Sequence, residues 1–324
     1  MSLGTEMLRW RTRSRKMKKK PKPAILPRDL RDPTGVDALE RRAMKDFSAR
    51  IRKAIKAYKA VLEKIPSEPV VNARYAYSIV PQVLKNSLAQ ADWEINSIFL
   101  EGGEESLWFN KGYLEVAAAR GAAQAFANLA QQSPSYAAGR ESLRQLLASE
   151  PYQRRLTLIR MRGFEEMKKL SETVKANMAR VLTDGVGRGL NPREVARNLT
   201  EQVGLEEFRA HRIARTEITT ALRRARWDET QDAEDAFGLR TKEMHLSALS
   251  PTTRVSHAAR HGKLFTVDEC RDWWAKGANG INCKCSTTSV MVDKEGTPLV
   301  PSIVDRAMKA KENMEARGYA WAKD

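Results

Sequence analysis

Residues 189–221 read GLNPREVARNLTEQVGLEEFRAHRIARTEITTA, and the organisation of the chain is set from this stretch. Asn191 is a good N-cap residue, and Pro192 fits the first helical position because its missing N–H is not needed there. Glu194 stands three residues after the cap, where a capping box places its carboxylate. The pattern predicts a short helix from Pro192 to about Val203, a break at Gly204, and a second helix from Glu206 to about Glu234. On the second helix Ala214, Ile218, Ala221, Leu222 and Ala225 form one narrow face of small residues. Arg215 and Glu217 are two residues apart and do not face each other on a helix. They read as ties from this helix to the region that follows; the alternative is an acid/base or ligand-binding pair.

Upstream, the periodicity is helical from Val36. Leu39, Ala43, Phe47, Ile51, Ile55, Tyr58, Leu62 and Ile65 recur at three- to four-residue steps until Pro66. Val83, Leu84, Leu88, Ala91, Ile95, Ile98 and Phe99 mark a second helix, stopped by Gly102-Gly103. A third, Ala-rich helix is expected from about Glu105 to Gln131. Its residues Ala117, Ala118, Ala119, Ala122, Ala123 and Ala125 allow a neighbouring helix to approach closely. A further long amphipathic helix carries Phe164, Met167, Leu170, Val174, Met178 and Val181 as far as the glycines at 185, 187 and 189. The methionines on these faces read as core filler.

Downstream of Gly238 the texture changes. Residues 239–246 alternate loosely enough for a strand, and Cys285 to Val292 is rich in Thr, Ser and β-branched residues. Ser302 to Tyr319 reads as an exposed helix of mixed charge. The expected fold is therefore mainly α with a small α+β C-terminal module. Its parts are a disordered basic N-terminal arm (1–35), a long-helix body (36–185), the C-terminal module (186–295) and a terminal tail or helix (296–324).

Charge and composition bound the function. The 324 residues hold 57 Lys and Arg against 40 Asp and Glu, a formal net charge of +17. More than half of that excess lies in residues 1–28: Arg9, Arg11, Arg13, Arg15, Lys16, Lys18, Lys19, Lys20, Lys22 and Arg28 face the single acid Glu6. Pro21, Pro23 and Pro27 break any helix there. Such an arm suits DNA or an acidic protein surface, or else serves as a solvated tail. No window approaches ~18 consecutive apolar residues, so no transmembrane helix is expected. No apolar stretch of a secretory signal follows the N-terminal bases. Three cysteines make no disulfide framework and fit a reducing compartment. The common nucleotide-binding and hydrolase motifs are missing.

One segment concentrates metal-ligand chemistry. His257 and His261 lie close to all three cysteines, Cys270, Cys283 and Cys285. Imidazole and thiolate are the donors a tetrahedral zinc site takes. His257, Cys283 and Cys285 supply three positions, with His261 or Cys270 as the fourth; the alternative is buried thiols and two surface histidines. A zinc ion here reads as structural, since no carboxylate stands as an evident general base. Two rival readings remain. One is a metal-dependent nuclease built on His257, His261 and Asn279 or Asn282. The other is a helix-turn-helix DNA binder using Pro192–Leu199 and the arginines Arg209, Arg212, Arg215, Arg223, Arg224 and Arg226.

The order of pieces is itself informative: a helical body, then Gly189-Leu190-Asn191-Pro192, then Arg215-Thr216-Glu217, Arg254-x-x-His257 with Gly262, and a closing Gly-Ile-Asn-Cys-Lys-Cys. Over about 185–290 this resembles the phage head morphogenesis proteins of the Mu F-like minor head family. The Arg-Thr-Glu helix and the Cys-x-Cys are the most specific parts. Some relatives carry Cys-x-x-Cys where this chain has Arg254-x-x-His257, and many carry Asp-Gly where it has His261-Gly262. The resemblance implies Arg215, Thr216, Glu217, Arg254 and Gly262 as structural motif residues. It also implies a non-enzymatic minor component of a tailed-phage head, made in the host cytoplasm and placed at the portal vertex or capsid interior. Its partners would be portal, major capsid or scaffolding proteins and packaged double-stranded DNA.

Overall fold

The computed structural model describes residues 21–322. The basic residues from Arg9 to Lys20 lie outside that range. From Pro23 onward the expected arm is anchored, which shortens it. Ala24 is buried, Ile25 donates its N–H to Asn128 and accepts from Thr288, and Gln131 donates to the Pro23 carbonyl. Two apolar residues and free backbone groups beside a helix with side-chain amides suffice to dock the segment.

Helix α1 (Asp37–Glu63) buries the face read from its periodicity, Leu39 to Leu62. A short hairpin follows, β1 (Ser67–Pro69) and β2 (Tyr75–Tyr77), then α2 (Pro81–Phe99) and the single turn α3 (Gly103–Ser106). The expected third helix is divided: a π-helical turn, Asn110–Leu114, leads into α4 (Glu115–Gln132). Two small helices, α5 (Pro134–Gly139) and α6 (Leu143–Ala148), precede α7 (Glu150–Gly187). Then comes α8 (Pro192–Phe237), 46 residues without interruption. Asn191 caps it by accepting the Arg193 N–H, and Gly238 ends it in the left-handed conformation.

The break expected at Gly204 is therefore absent, and with it the turn of a helix-turn-helix. A helical glycine costs only about 1 kcal/mol relative to Ala, and α8 is held on both sides of Gly204 by Val195, Leu199, Ala210 and Ala214 in the main core. That core joins α1, α2, α4, α7 and α8. The small-residue reading of α4 holds. Ala117, Ala118, Gly121, Ala122 and Ala125 are buried, and Gly121 lies so close to α8 that a Cβ there would sit 2.9 Å from the Leu222 carbonyl carbon.

After α8 the chain forms β3 (Thr241–Leu246), α9 (Val255–Ala258), β4 (Leu264–Phe265), α10 (Val267–Ala275) and β5 (Ser286–Met291). The three strands make one antiparallel sheet in the order β4-β3-β5, with His245 opposite Thr287 and Glu243 opposite Ser289. Helix α11 (Ser302–Glu315) is not the freely exposed helix expected. Its Ile303 and Ala307 pack on Met244, Leu246 and Val290 and cover one face of the sheet. The other face, with Glu243 and His245, turns toward α8 and α10. No helix among the described residues is long and apolar enough to cross a membrane.

Candidate functional site

The chain turns at Ile281–Asn282, where Asn282 is left-handed (φ 53°), and residues 283–285 then lead into β5. Asn282 and Lys284 face the helices: Lys284 pairs with Asp37 of α1, while Asn282 donates its N–H to Thr216 and accepts from Arg215. Cys283 and Cys285 turn the other way, toward His257 at the end of α9. His257 Nδ1 lies 3.5 Å from Cys283 Sγ and 3.4 Å from Cys285 Sγ, and the three ligand atoms all fall within 4.8 Å of one another. All three residues are buried.

The Arg-Thr-Glu motif locks this segment to the body. Arg215 donates to buried Glu40 of α1 at 2.8 Å and to Asn282 at 2.7 Å. Glu217 receives a bidentate pair from Arg162 of α7. Arg215 and Glu217 thus reach different helices, as their two-residue spacing requires. Arg223, fully enclosed, donates to the carbonyls of Cys283 and Cys285. Arg254 donates to the carbonyls of Ala278 and Ile281 and lies 3.2 Å from His257 Nε2. A cavity of about 170 Å³ lined by Arg215, Arg254, His257 and Lys284 opens beside the thiols.

The thiols differ electrostatically. The hydrogen bond from Cys285, then His257 and Arg223, holds Cys283 well below the ordinary thiol value, while Cys285 is pushed up by the same partner and by burial. Burial first, and then the charge of Arg260 and the neighbouring His257, keep His245 neutral.

Neither fourth ligand read from the sequence reaches the cluster. His261 is not a surface residue: its Nδ1 accepts the Ser247 N–H, which leaves Nε2 to donate to the Ala307 carbonyl. Cys270 shares an apolar cluster with Trp227, Val267, Trp274 and the two other cysteines, but its sulfur is not among the ligand atoms that fall within 4.8 Å of one another, and burial raises its thiol. The nuclease set does not converge either. His261 is used as described, Asn279 donates to the Trp273 carbonyl, and Asn282 is held by Arg215. Among the described residues no carboxylate joins the cluster. Gly262 keeps a left-handed turn, φ 78°, where a Cβ would meet Met308 Sδ at 2.7 Å.

Of the six α8 arginines read as phosphate contacts, four are buried or engaged in ion pairs. Arg223 and Arg226 are buried, Arg226 donating to Ser286 Oγ, and Arg209 and Arg215 pair with Glu206 and Glu40. Arg212 and Arg224 alone of the six are exposed. A DNA-reading helix would need them outside.

Comparison with known proteins bears on these readings. Residues 176–288 match the family described as phage Mu protein F like protein. This stretch of the chain is similar to the Mu F-like proteins. The match begins in the last turns of α7, includes all of α8, and ends within β5, so it contains the Arg-Thr-Glu tie, His257, Gly262 and both cysteines of the Cys-x-Cys. The Mu F-like family is one of phage head morphogenesis, which supports the bacteriophage reading of the sequence. No curated protein and no solved structure matches the chain.

Proposed function

We propose that this chain is a minor, non-enzymatic head protein of a tailed phage or prophage, acting in head morphogenesis at the portal vertex or capsid interior and in handling packaged DNA. The observation that carries this reading is the Mu F-like match over residues 176–288, whose motif residues are spent on joining the module to the body. A protein whose most specific residues serve as ties suits assembly more than turnover. The bases of residues 1–28 offer the contact with packaged DNA or acidic capsid surfaces. Portal, major capsid and scaffolding proteins are the partners this role requires, met in the host cytoplasm before the head closes.

Deleting the gene from an inducible prophage tests this. The expected result is a fall in DNA-filled heads, restored by the full chain and also by its His257→Ala variant at least in part. Divalent-metal-dependent DNA cleavage by the purified protein, lost on His257→Ala, would favour the nuclease instead.

A further inference from the structure

The sheet face that holds Cys285 also holds an unpartnered imidazole. His245 stands opposite Thr287, so alternation puts Glu243, His245 and Ser247 on one face with Cys285, Thr287 and Ser289. Contact between Cys285 Sγ and Ser247 Oγ at 3.7 Å continues that face beyond the strand ends. Of the other polar residues there, Glu243 accepts from Thr230 and Ser289 at Oε1 while its Oε2 has no partner among the described residues, and Thr287 accepts from Trp227. His245 is fully buried, yet among the described residues neither of its ring nitrogens has a hydrogen-bond partner. Buried polar groups rarely go unpaired, and each one left so costs about 1–3 kcal/mol.

The ring is positioned. It stacks on Trp274 at 4.8 Å and 17°, meets Trp273 edge-on, and its centroid lies 6.4 Å from that of His257. We infer that His245 is the fourth ligand of a closed Cys2His2 zinc centre with His257, Cys283 and Cys285.

The distances support the set. Zinc binds imidazole nitrogen at about 2.0–2.1 Å and thiolate sulfur at about 2.3 Å, which makes a tetrahedral N···S edge about 3.5 Å. The two edges from His257 Nδ1 are 3.4 and 3.5 Å. Two imidazoles on one such ion place their centroids about 5 Å apart, so His245 must close by about 1 Å. Two thiolates balance the charge of the ion. Coordination through Nδ1 leaves the proton of His257 on Nε2, so Arg254 turns from the ring and keeps the Ala278 and Ile281 carbonyls. The ion then ties α9 to the end of β3 and the entry to β5, which the strand ladder already joins.

The test uses the full-length protein, purified under reducing conditions and reconstituted with zinc alone. X-ray absorption at the zinc edge of the wild type should show two sulfurs near 2.3 Å and two imidazole nitrogens near 2.0–2.1 Å. In the cobalt-substituted protein, His245→Asn should weaken Co2+ binding by more than about 100-fold, since even removing an outer hydrogen-bond partner of a ligand costs 10–100-fold. His261→Asn should leave it unchanged. A wild type that holds no zinc, or a first shell of two sulfurs, one imidazole and a light oxygen ligand admitted from the adjoining cavity, would overturn the assignment. So would His245→Asn protein that binds Co2+ as the wild type does. The wild-type spectrum decides the matter if the variant fails to fold.

Discussion

Two glycines on packed helices should respond to the same substitution with opposite signs. Gly121 lies inside α4 where it crosses α8. A Cβ there would overlap the Leu222 carbonyl oxygen and stand 2.9 Å from its carbon and 3.1 Å from its Cα. Carbon atoms pack best at about 3.5–4.0 Å, so Gly121→Ala must part the helices by roughly 1 Å. Overpacking of that kind costs about 1–3 kcal/mol, and the crossing is lined by the buried Ala117, Ala118 and Ala122, which cannot give way by changing rotamer. The helix propensity of Ala returns about 1 kcal/mol, leaving a net loss of up to about 2 kcal/mol. Gly204 lies in α8, its φ is helical, and nothing is within 4 Å of where its Cβ would be. Gly204→Ala should therefore stabilise by about 0.4–1 kcal/mol. At about 2 °C per kcal/mol for a chain of this size, Gly121→Ala should lower Tm by up to about 4 °C and Gly204→Ala should raise it by about 1–2 °C. Thermal melting, checked by urea midpoints at unchanged slope, reads both. Gly121→Ala protein more stable than the wild type, as Gly204→Ala should be, would refute the close crossing. A destabilised Gly204→Ala would mean that α8 does break where the sequence pattern breaks.

Three further outcomes follow from the site. Arg215→Ala leaves Glu40, 1% exposed, without its cation, and should cost about 2–3 kcal/mol, less than a fully buried pair because Arg215 itself is a quarter exposed; Glu40→Gln in the same background should recover part of it in urea unfolding. Burial depresses His261 to about 4. A folded value below the unfolded one makes its stabilisation complete above about pH 6.5 and lost as pH falls through about 4, a change of order 3 kcal/mol; His261→Gln should flatten the unfolding midpoint against pH across that window. Deleting residues 1–28 should weaken DNA binding and reduce its dependence on salt, whereas Arg223→Ala should lower the melting temperature instead, because that side chain is internal. Binding to DNA undiminished by the deletion would remove the arm from the account.

The long helices were legible because their apolar faces repeat at the helical period, and α1, α4 and the end of α8 show those faces buried. Gly204 misled because a lone glycine weakens a helix without stopping it when packing holds both flanks. The hairpin of β1 and β2 and the small helices α5 and α6 are too short to show a period. One signal for α10 was present: Thr266 and Glu269 form a capping box in the structure, with the spacing such boxes require. In the site, residue type alone revealed His257, Cys283 and Cys285. It could not reject His261 or Cys270, since that depends on the Ala307 carbonyl and on a pocket of tryptophans. His245 was invisible for a plainer reason: its nearness to Cys285 follows from the register of β3 with β5, which a local pattern does not carry. The roles of Arg215, Thr216 and Glu217 likewise depend on partners in α1, α7 and the Cys-x-Cys segment.

Quantitative mass spectrometry of gradient-purified particles after prophage induction tests the central claim most directly. The account predicts this chain at a few copies per particle, together with portal peptides, in immature or mature heads. Its absence from both, while portal and major capsid proteins are recovered, would contradict a role in the head.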